Sequence, residues 1–203
     1  MMGNNNIFLR CAHLAPDIWK KLGEIPRTGW VKRGVKNPET VQEHTIALMT
    51  IAKDFPSLSS GFSPEQKADL IDMLEIHDWP EAIVGDEVVV TNDKDEKEKL
   101  LDDKFKRERR AMSRICWKLC DSGQDIFDLW IRFEKSPDQA SFLARQLDKY
   151  QAIQKALEFE LAQGIMLFEE FRDYARPFIT NPLILQKIEE LNRIKANKGL
   201  AIS

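Results

Sequence analysis

The sequence predicts an all-α fold, a single helical bundle. β-Branched clusters are scarce: Val84 and the short run Val88-Val89-Val90 stand alone. Helix-start signals recur instead, and each is followed by apolar residues at helical spacing. Thr40-Val41-Gln42-Glu43 is a capping box, in which hydroxyl and carboxylate each satisfy a free N–H of the first turn. Ser63-Pro64-Glu65-Gln66 and Ser136-Pro137-Asp138-Gln139 repeat the pattern with proline at the first helical position.

Each element follows from its own pattern. A helix over 14–23 comes first. The next, over 40–55, carries the stripe Val41, Leu48, Ile51 and Phe55 with His44 on the same face. From Ser63 the rows run Leu70, Leu74, His77 and, adjoining, Ile71, Leu74, Asp78. A helix over 96–120 takes in the dense charge of 93–110, which suits a solvated, salt-bridged face. After a helix over 124–134, the long helix from 136 buries Leu143, Leu147, Tyr150, Ile153, Leu157 and Leu161. Its row Ala140, Ala144, Asp148, Ala152, Ala156 lets a second helix approach closely and carries Asp148 into that interface. A last helix covers 181–196, its stripe Leu183, Ile184, Ile188, Leu191, Ile194 serving as a docking face or a contact surface. Gly61, Gly123 and Pro177 punctuate the gaps.

At 203 residues, 43% hydrophobic and 31% charged, the chain suits one domain with a sizeable core. A net charge of −3 argues against long nucleic acid as its ligand. No run approaches a membrane span. Met1-Met2-Gly3-Asn4-Asn5-Asn6 has neither the basic nor the apolar region of a signal peptide, so a cytoplasmic protein is expected. Cys11, Cys116 and Cys120 are an odd number without framework spacing; Cys116 and Cys120, four apart, could share a helix face as metal ligands but read as buried small hydrophobes.

The chemistry concentrates in His44, His77, Asp78 and Asp148. An ionised carboxylate on a buried row is costly unless it is paired or bound to a metal. Two imidazoles and two carboxylates suit Mn, Fe, Co, Ni or Zn better than Ca. On spacing alone, hydrogen-bonded core histidines and an Asp148 paired with a buried cation explain the same residues.

In order and context these residues resemble the H…HD…D signature of the HD-domain phosphohydrolase superfamily. The blocks Pro26-Arg27-Thr28-Gly29-Trp30, Arg33-Gly34-Val35, Pro38 through His44, His77 through Asp86 and Leu147-Asp148-Lys149 are similar to the bacterial 5′-deoxynucleotidase family and its eukaryotic HD-domain-containing relatives. The resemblance covers about residues 14–165, leaving 166–203 as a C-terminal helical extension of a single domain. It implies a helical bundle around one divalent ion held by His44, His77, Asp78 and Asp148. Co²⁺ or Mn²⁺ is the implied ion, with Mg²⁺, Zn²⁺, Fe²⁺ or Ni²⁺ accepted. The implied reaction hydrolyses deoxyribonucleoside 5′-monophosphates to nucleoside and phosphate, in a homodimer. Glu81 and Asp86 fall on the family's acid/base carboxylates and Arg27 on its phosphate-contacting arginine. Trp30 falls where a tryptophan crowds the ribose 2′ position.

The residues themselves support these roles. Glu81 follows His77 by four residues and shares its face if the helix continues past Pro80. Asp86 follows Gly85, where the chain can turn sharply. Lys20, Lys21, Arg27, Lys32, Arg33 and Lys36 are opposed only by Glu24, so a basic loop precedes His44. Arg27 is the first candidate phosphate clamp and Arg33 the second. Trp79 departs from the small or aliphatic residue usual in relatives. Triphosphate hydrolysis on the same scaffold, or a non-catalytic metal-binding module, are the rival expectations.

Overall fold

A computed structural model describes residues 10–55, 61–91 and 93–199. The stretch Met1–Asn6, read for a signal sequence, lies outside the described residues. The helices are α1 (Pro16–Leu22), α2 (Thr28–Val31), α3 (Val41–Lys53), α4 (Pro64–Ile76), α5 (Glu81–Val84), α6 (Lys94–Trp117), α7 (Gly123–Lys135), α8 (Gln139–Gln163), α9 (Phe168–Ala175) and α10 (Pro182–Gly199). Single 3₁₀ turns span Cys120–Ser122 and Arg176–Phe178. Among the described residues there is no sheet, only an isolated antiparallel bridge between Pro26 and Thr40. No helix among them is long and apolar enough to cross a membrane.

The capping boxes at Thr40 and Ser63 form as the sequence predicts. The Thr40 hydroxyl accepts from the Glu43 amide at 3.2 Å, and the Glu43 carboxylate accepts from the Thr40 amide at 2.8 Å. The third start is displaced. Ser136, with φ 46°, closes α7 rather than opening α8, and Pro137 has no N–H with which to continue either helix. Asp138 caps α8 instead, accepting from the Ala140 and Ser141 amides at 3.0 and 3.1 Å. Gly123 also differs from its expected place in a gap. It is the first residue of α7, where a Cβ would lie 2.1 Å from the Cys116 carbonyl oxygen, so only glycine fits.

Helix α8 is the axis of the bundle, touching α3, α4, α7, α9 and α10. Its Ala140, Ala144 and Ala156 are fully buried, as a close-approach row requires. Around it Leu48, Met49, Leu70, Leu74, Leu147 and Ile153 are wholly excluded from water. Burial of such side chains contributes roughly 1.5–3 kcal/mol each. Ile184, Ile188 and Leu191 of α10 join this core, which makes the C-terminal stripe a docking face, although Ile194 remains exposed. A second core joins Leu22, Val41, Ile76, Trp79, Met112 and Trp130. A third packs Trp30 and Val35 against Leu167, Phe159 and Phe171.

Two expectations are corrected here. Leu161, at the end of the α8 stripe, is exposed. Cys120 lies beyond the end of α6 and is exposed, so only Cys11 and Cys116 are the buried small hydrophobes.

Candidate active site

Three helices and a turn bring four chemically distinctive side chains together: the ligand atoms of His44, His77 and Asp148 lie within 4.8 Å of one another, and Asp78 lies against both histidines. α3 supplies His44, the C-terminus of α4 supplies His77, the following turn supplies Asp78, and α8 supplies Asp148. His44 Nε2 lies 3.2 Å from Asp148 Oδ1 and 3.8 Å from Asp78 Oδ2. His77 Nε2 lies 3.0 Å from Asp78 Oδ2 and 4.0 Å from Asp148 Oδ1. Asp148 therefore reaches the interface that its row of small residues requires.

The other ring nitrogens fix the orientation of both imidazoles. His44 Nδ1 is 2.7 Å from Gln151 Oε1, and His77 Nδ1 is 2.8 Å from the Leu74 carbonyl. Both partners are acceptors, so each Nδ1 carries the proton and each Nε2 presents a lone pair. These two Nε2 atoms are fully buried, and neither makes an aligned hydrogen bond despite the nearby carboxylates. Orphaned imidazole lone pairs converging on two carboxylates are a donor set for a divalent cation of the first transition series.

Burial alone would raise the Asp78 carboxyl, but His77, Arg27 and His44 overcome it and hold the group below the usual carboxylate range. Burial likewise opposes ionisation of Asp148, and its closeness to His44, His77 and Lys149 outweighs that and holds the group low. Glu81 differs. Desolvation pushes its carboxyl well up, and the negative charges of Asp78 and Asp86 push it further. One wall of the site thus favours carboxylate while the facing group favours carboxylic acid.

The remaining predicted residues take distinct positions. Glu81 opens α5, is buried, and leaves Oε2 without a hydrogen-bond partner. Arg27 Nη1 donates to Asp78 Oδ2 at 3.0 Å, which puts a guanidinium directly against the cluster. Asp86 turns inward after Gly85, whose φ of 82° suits glycine. Its Oδ2 accepts from the Thr28 amide, and its carbonyl accepts from the Thr28 hydroxyl at 2.7 Å. Asp86 thereby clasps the residue next to Arg27. Trp30 is buried, stacks on Phe171 at 4.3 Å between centroids, and donates to Glu39 Oε1 at 3.0 Å. Arg33 is drawn aside: its guanidinium binds Glu170 and the Gly29 carbonyl and lies 4.8 Å from the Phe171 ring. Trp79 is wholly within the second core and does not border the cavity beside Arg27.

Two groups of residues escape the motif argument. Gln151 accepts from His44 and donates through Nε2 to Glu39 Oε2 at 3.1 Å, while Trp30 binds the other Glu39 oxygen. A buried relay therefore runs from His44 to Trp30. Its sequence signal is a polar residue three positions after Asp148 on the same helix. The second group is Lys104 and Glu108 on α6, paired at 3.1 Å. Burial opposes the Lys104 charge, but Glu108, Glu81 and Asp78 hold its pKa above the ordinary lysine value. Lys104 is thus a second positive charge, besides Arg27, whose field reaches Glu81 and Asp78.

Such a cluster on such a bundle defines a class. The HD domain family profile matches residues 19–172, and the chain belongs to that family, as an HD-domain metal-dependent phosphohydrolase. Within it the chain falls among the relatives named 5′-deoxynucleotidase HDDC2. The Dictyostelium discoideum protein of that name is 35% identical over 144 residues, 69% of this chain and 73% of the relative. The Mus musculus protein is 30% identical over 173 residues, 84% of this chain and 81% of the relative. A Pyrococcus horikoshii crystal structure superposes with a TM-score of 0.68 at 21% identity, covering 88% of this chain and 95% of that one, and so shares the fold.

Proposed function

We propose that this protein is a 5′-deoxynucleotidase that hydrolyses deoxyribonucleoside 5′-monophosphates with the aid of Mn²⁺ or Co²⁺. The observation that carries the reading is the pair of buried, unpartnered Nε2 atoms of His44 and His77, facing two carboxylates beside a half-buried arginine. The names of the HDDC2 relatives support the substrate class.

His44, His77, Asp78 and Asp148 are the proposed metal ligands. A divalent ion held by them supplies Lewis-acid polarisation and charge neutralisation for a phosphoryl group, which a very slow hydrolysis requires. Arg27 spends one donor on Asp78 and offers its remaining N–H groups to the phosphoryl oxygens. Asp86 holds Thr28, and through it keeps the Arg27 backbone in register with Asp78. Glu81 is the proposed proton-handling group. Its buried, unpartnered carboxyl group is suited to give a proton to the leaving ribose oxygen. Lys104 adds positive charge to the field at Glu81. Trp30, enclosed by Phe171 and tied to Glu39, fixes the wall of the cavity, and Arg33 braces that wall through Glu170.

The test is phosphate release from deoxy- and ribonucleoside mono- and triphosphates, with Mn²⁺, Co²⁺ or Mg²⁺ and with chelator. Orthophosphate from deoxyribonucleoside monophosphates alone, abolished by chelator, is the expected result. Inorganic triphosphate released from triphosphates would replace the reading, as would metal retention without turnover. In the same assay Glu81→Gln should keep its metal and lose about 10²–10⁴-fold in kcat. Near-normal turnover would remove Glu81 from the mechanism.

A further inference from the structure

A cavity of about 450 Å³ opens beside the candidate active site, within the usual range for small-molecule sites. Arg27 and Asp86 are among its lining residues, so it borders the proposed phosphate position. Val88, Val89 and Val90 line one side. These residues are the lone β-branched run of the sequence, yet among the described residues they form neither a strand nor a core. The opposite side comes from α9 through Phe171 and Tyr174. Phe171 is fixed by its stacking on Trp30 and by Arg33 above its ring, and the Arg33–Glu170 bonds tie the turn after α2 to α9.

Tyr174 is packed more loosely, tilted against Phe178 at 6.0 Å between ring centroids. The residue is 59% exposed, and Lys97 Nζ stands over its ring, 5.4 Å from the centroid, where both line the cavity. A largely exposed aromatic ring with a mobile lysine ammonium over it, in a cavity of apolar side chains that also includes an arginine, matches a planar heterocycle carrying carbonyl oxygens, which would take the lysine's place on the ring and accept from it. We propose that this cavity is a nucleobase subsite, with Tyr174 as its stacking face and Lys97 as a hydrogen-bond donor to the base. The proposal rests on the nucleotidase reading above. It assigns specificity to a residue of the C-terminal extension, just outside the 19–172 match to the HD domain.

The experiment compares kcat/KM for thymidine 5′-monophosphate with that for 2-deoxyribose 5-phosphate, which has the same phosphate and sugar but no base. Turnover of the nucleotide by the wild-type enzyme tests the underlying reading. The ratio between the two substrates tests the subsite. Tyr174→Ala should lower that ratio about tenfold, the scale of one lost base–aromatic stack, and Tyr174→Phe should restore it. Lys97→Met should lower it by a smaller factor. Equal losses on both substrates in Tyr174→Ala, or an unchanged ratio, would overturn the proposal while leaving the nucleotidase reading intact. If the wild-type enzyme refuses the nucleotide yet releases phosphate from the sugar phosphate, both fall.

Discussion

The trio His44, His77 and Asp148 and the trio Cys11, Asp72 and Glu75 are alike in outline. Each is largely buried, and in each the ligand atoms lie within 4.8 Å of one another. They differ in what else reaches those atoms. Glu75 accepts from the Arg10, Cys11 and Ala12 amides, the first two at 2.9 Å. Asp72 Oδ2 is 3.3 Å from Arg10 Nη1. Burial, with the nearby charges of Glu75 and Asp72, pushes the Cys11 thiol far up, so it stays protonated and is a poor ligand. That trio is a clasp that pins the chain before α1 to α4. Among the described residues no backbone amide reaches the Nε2 atoms of His44 and His77, and their two lone pairs are left over. Convergence of ligand atoms is thus common to both. The second trio leaves one carboxylate oxygen, Asp72 Oδ1, unpartnered, and it is the two free imidazole lone pairs of the first that separate a binding site from a structural knot.

Asp148→Asn probes the first trio most severely. It keeps the side chain's shape and removes one anionic ligand. We expect loss of bound Mn²⁺ by elemental analysis and a fall in kcat/KM of at least ~10³-fold, about 4 kcal/mol of transition-state stabilisation. The metal-free variant should melt close to the metal-free wild type, because no donor loses its partner. Full metal retention would place the ion elsewhere.

Glu75→Gln should do the reverse. A neutral amide offers one acceptor oxygen where three amides now converge on a carboxylate, leaving donors of the 10–12 segment short. A loss of about 1–3 kcal/mol is expected. At roughly 2–4 °C per kcal/mol for a chain of this size, it is visible in a thermal melt. Metal content should not change. A variant that lost one equivalent of metal would make the clasp a metal site and erase the distinction.

The same distinction explains how much the sequence discloses. His44, His77, Asp78 and Asp148 are legible because polar groups on apolar rows demand a partner, and α3, α4 and most of α8 are legible from their stripes and caps. Whether those partners are metal or hydrogen bonds is not written in the spacing. Glu75 sits on the same helix as His77 and is satisfied by backbone amides that no side-chain pattern records. α9 has eight residues and no side-chain cap at Leu167, so neither periodicity nor a start signal marks it. Lys104 and Glu108 are hidden by abundance. In a run of charges the two that turn inward look like the rest, although they share a row with the buried Met112.

The smallest effect belongs to a third carboxylate cluster, where Arg132 binds Asp138 through Nε at 2.6 Å and Nη2 at 3.2 Å and also reaches Asp69. The hydrogen bonds from Arg132 hold the Asp138 carboxyl down to about 2. Because the folded value lies below the unfolded one of ~3.9, the ion pair's contribution is present above that pH and disappears as pH falls through about 2. Asparagine caps a helix as well as aspartate, so Asp138→Asn removes the charge and keeps the cap. At pH 7 the variant should be less stable by only about 0.2–1 kcal/mol, since the pair is partly exposed. Urea titrations repeated toward pH 2 should show the deficit closing, with metal content and turnover at neutral pH unaltered. A deficit that stayed constant into acid would mean that side-chain shape, and not paired charge, holds the corner between α7 and α8.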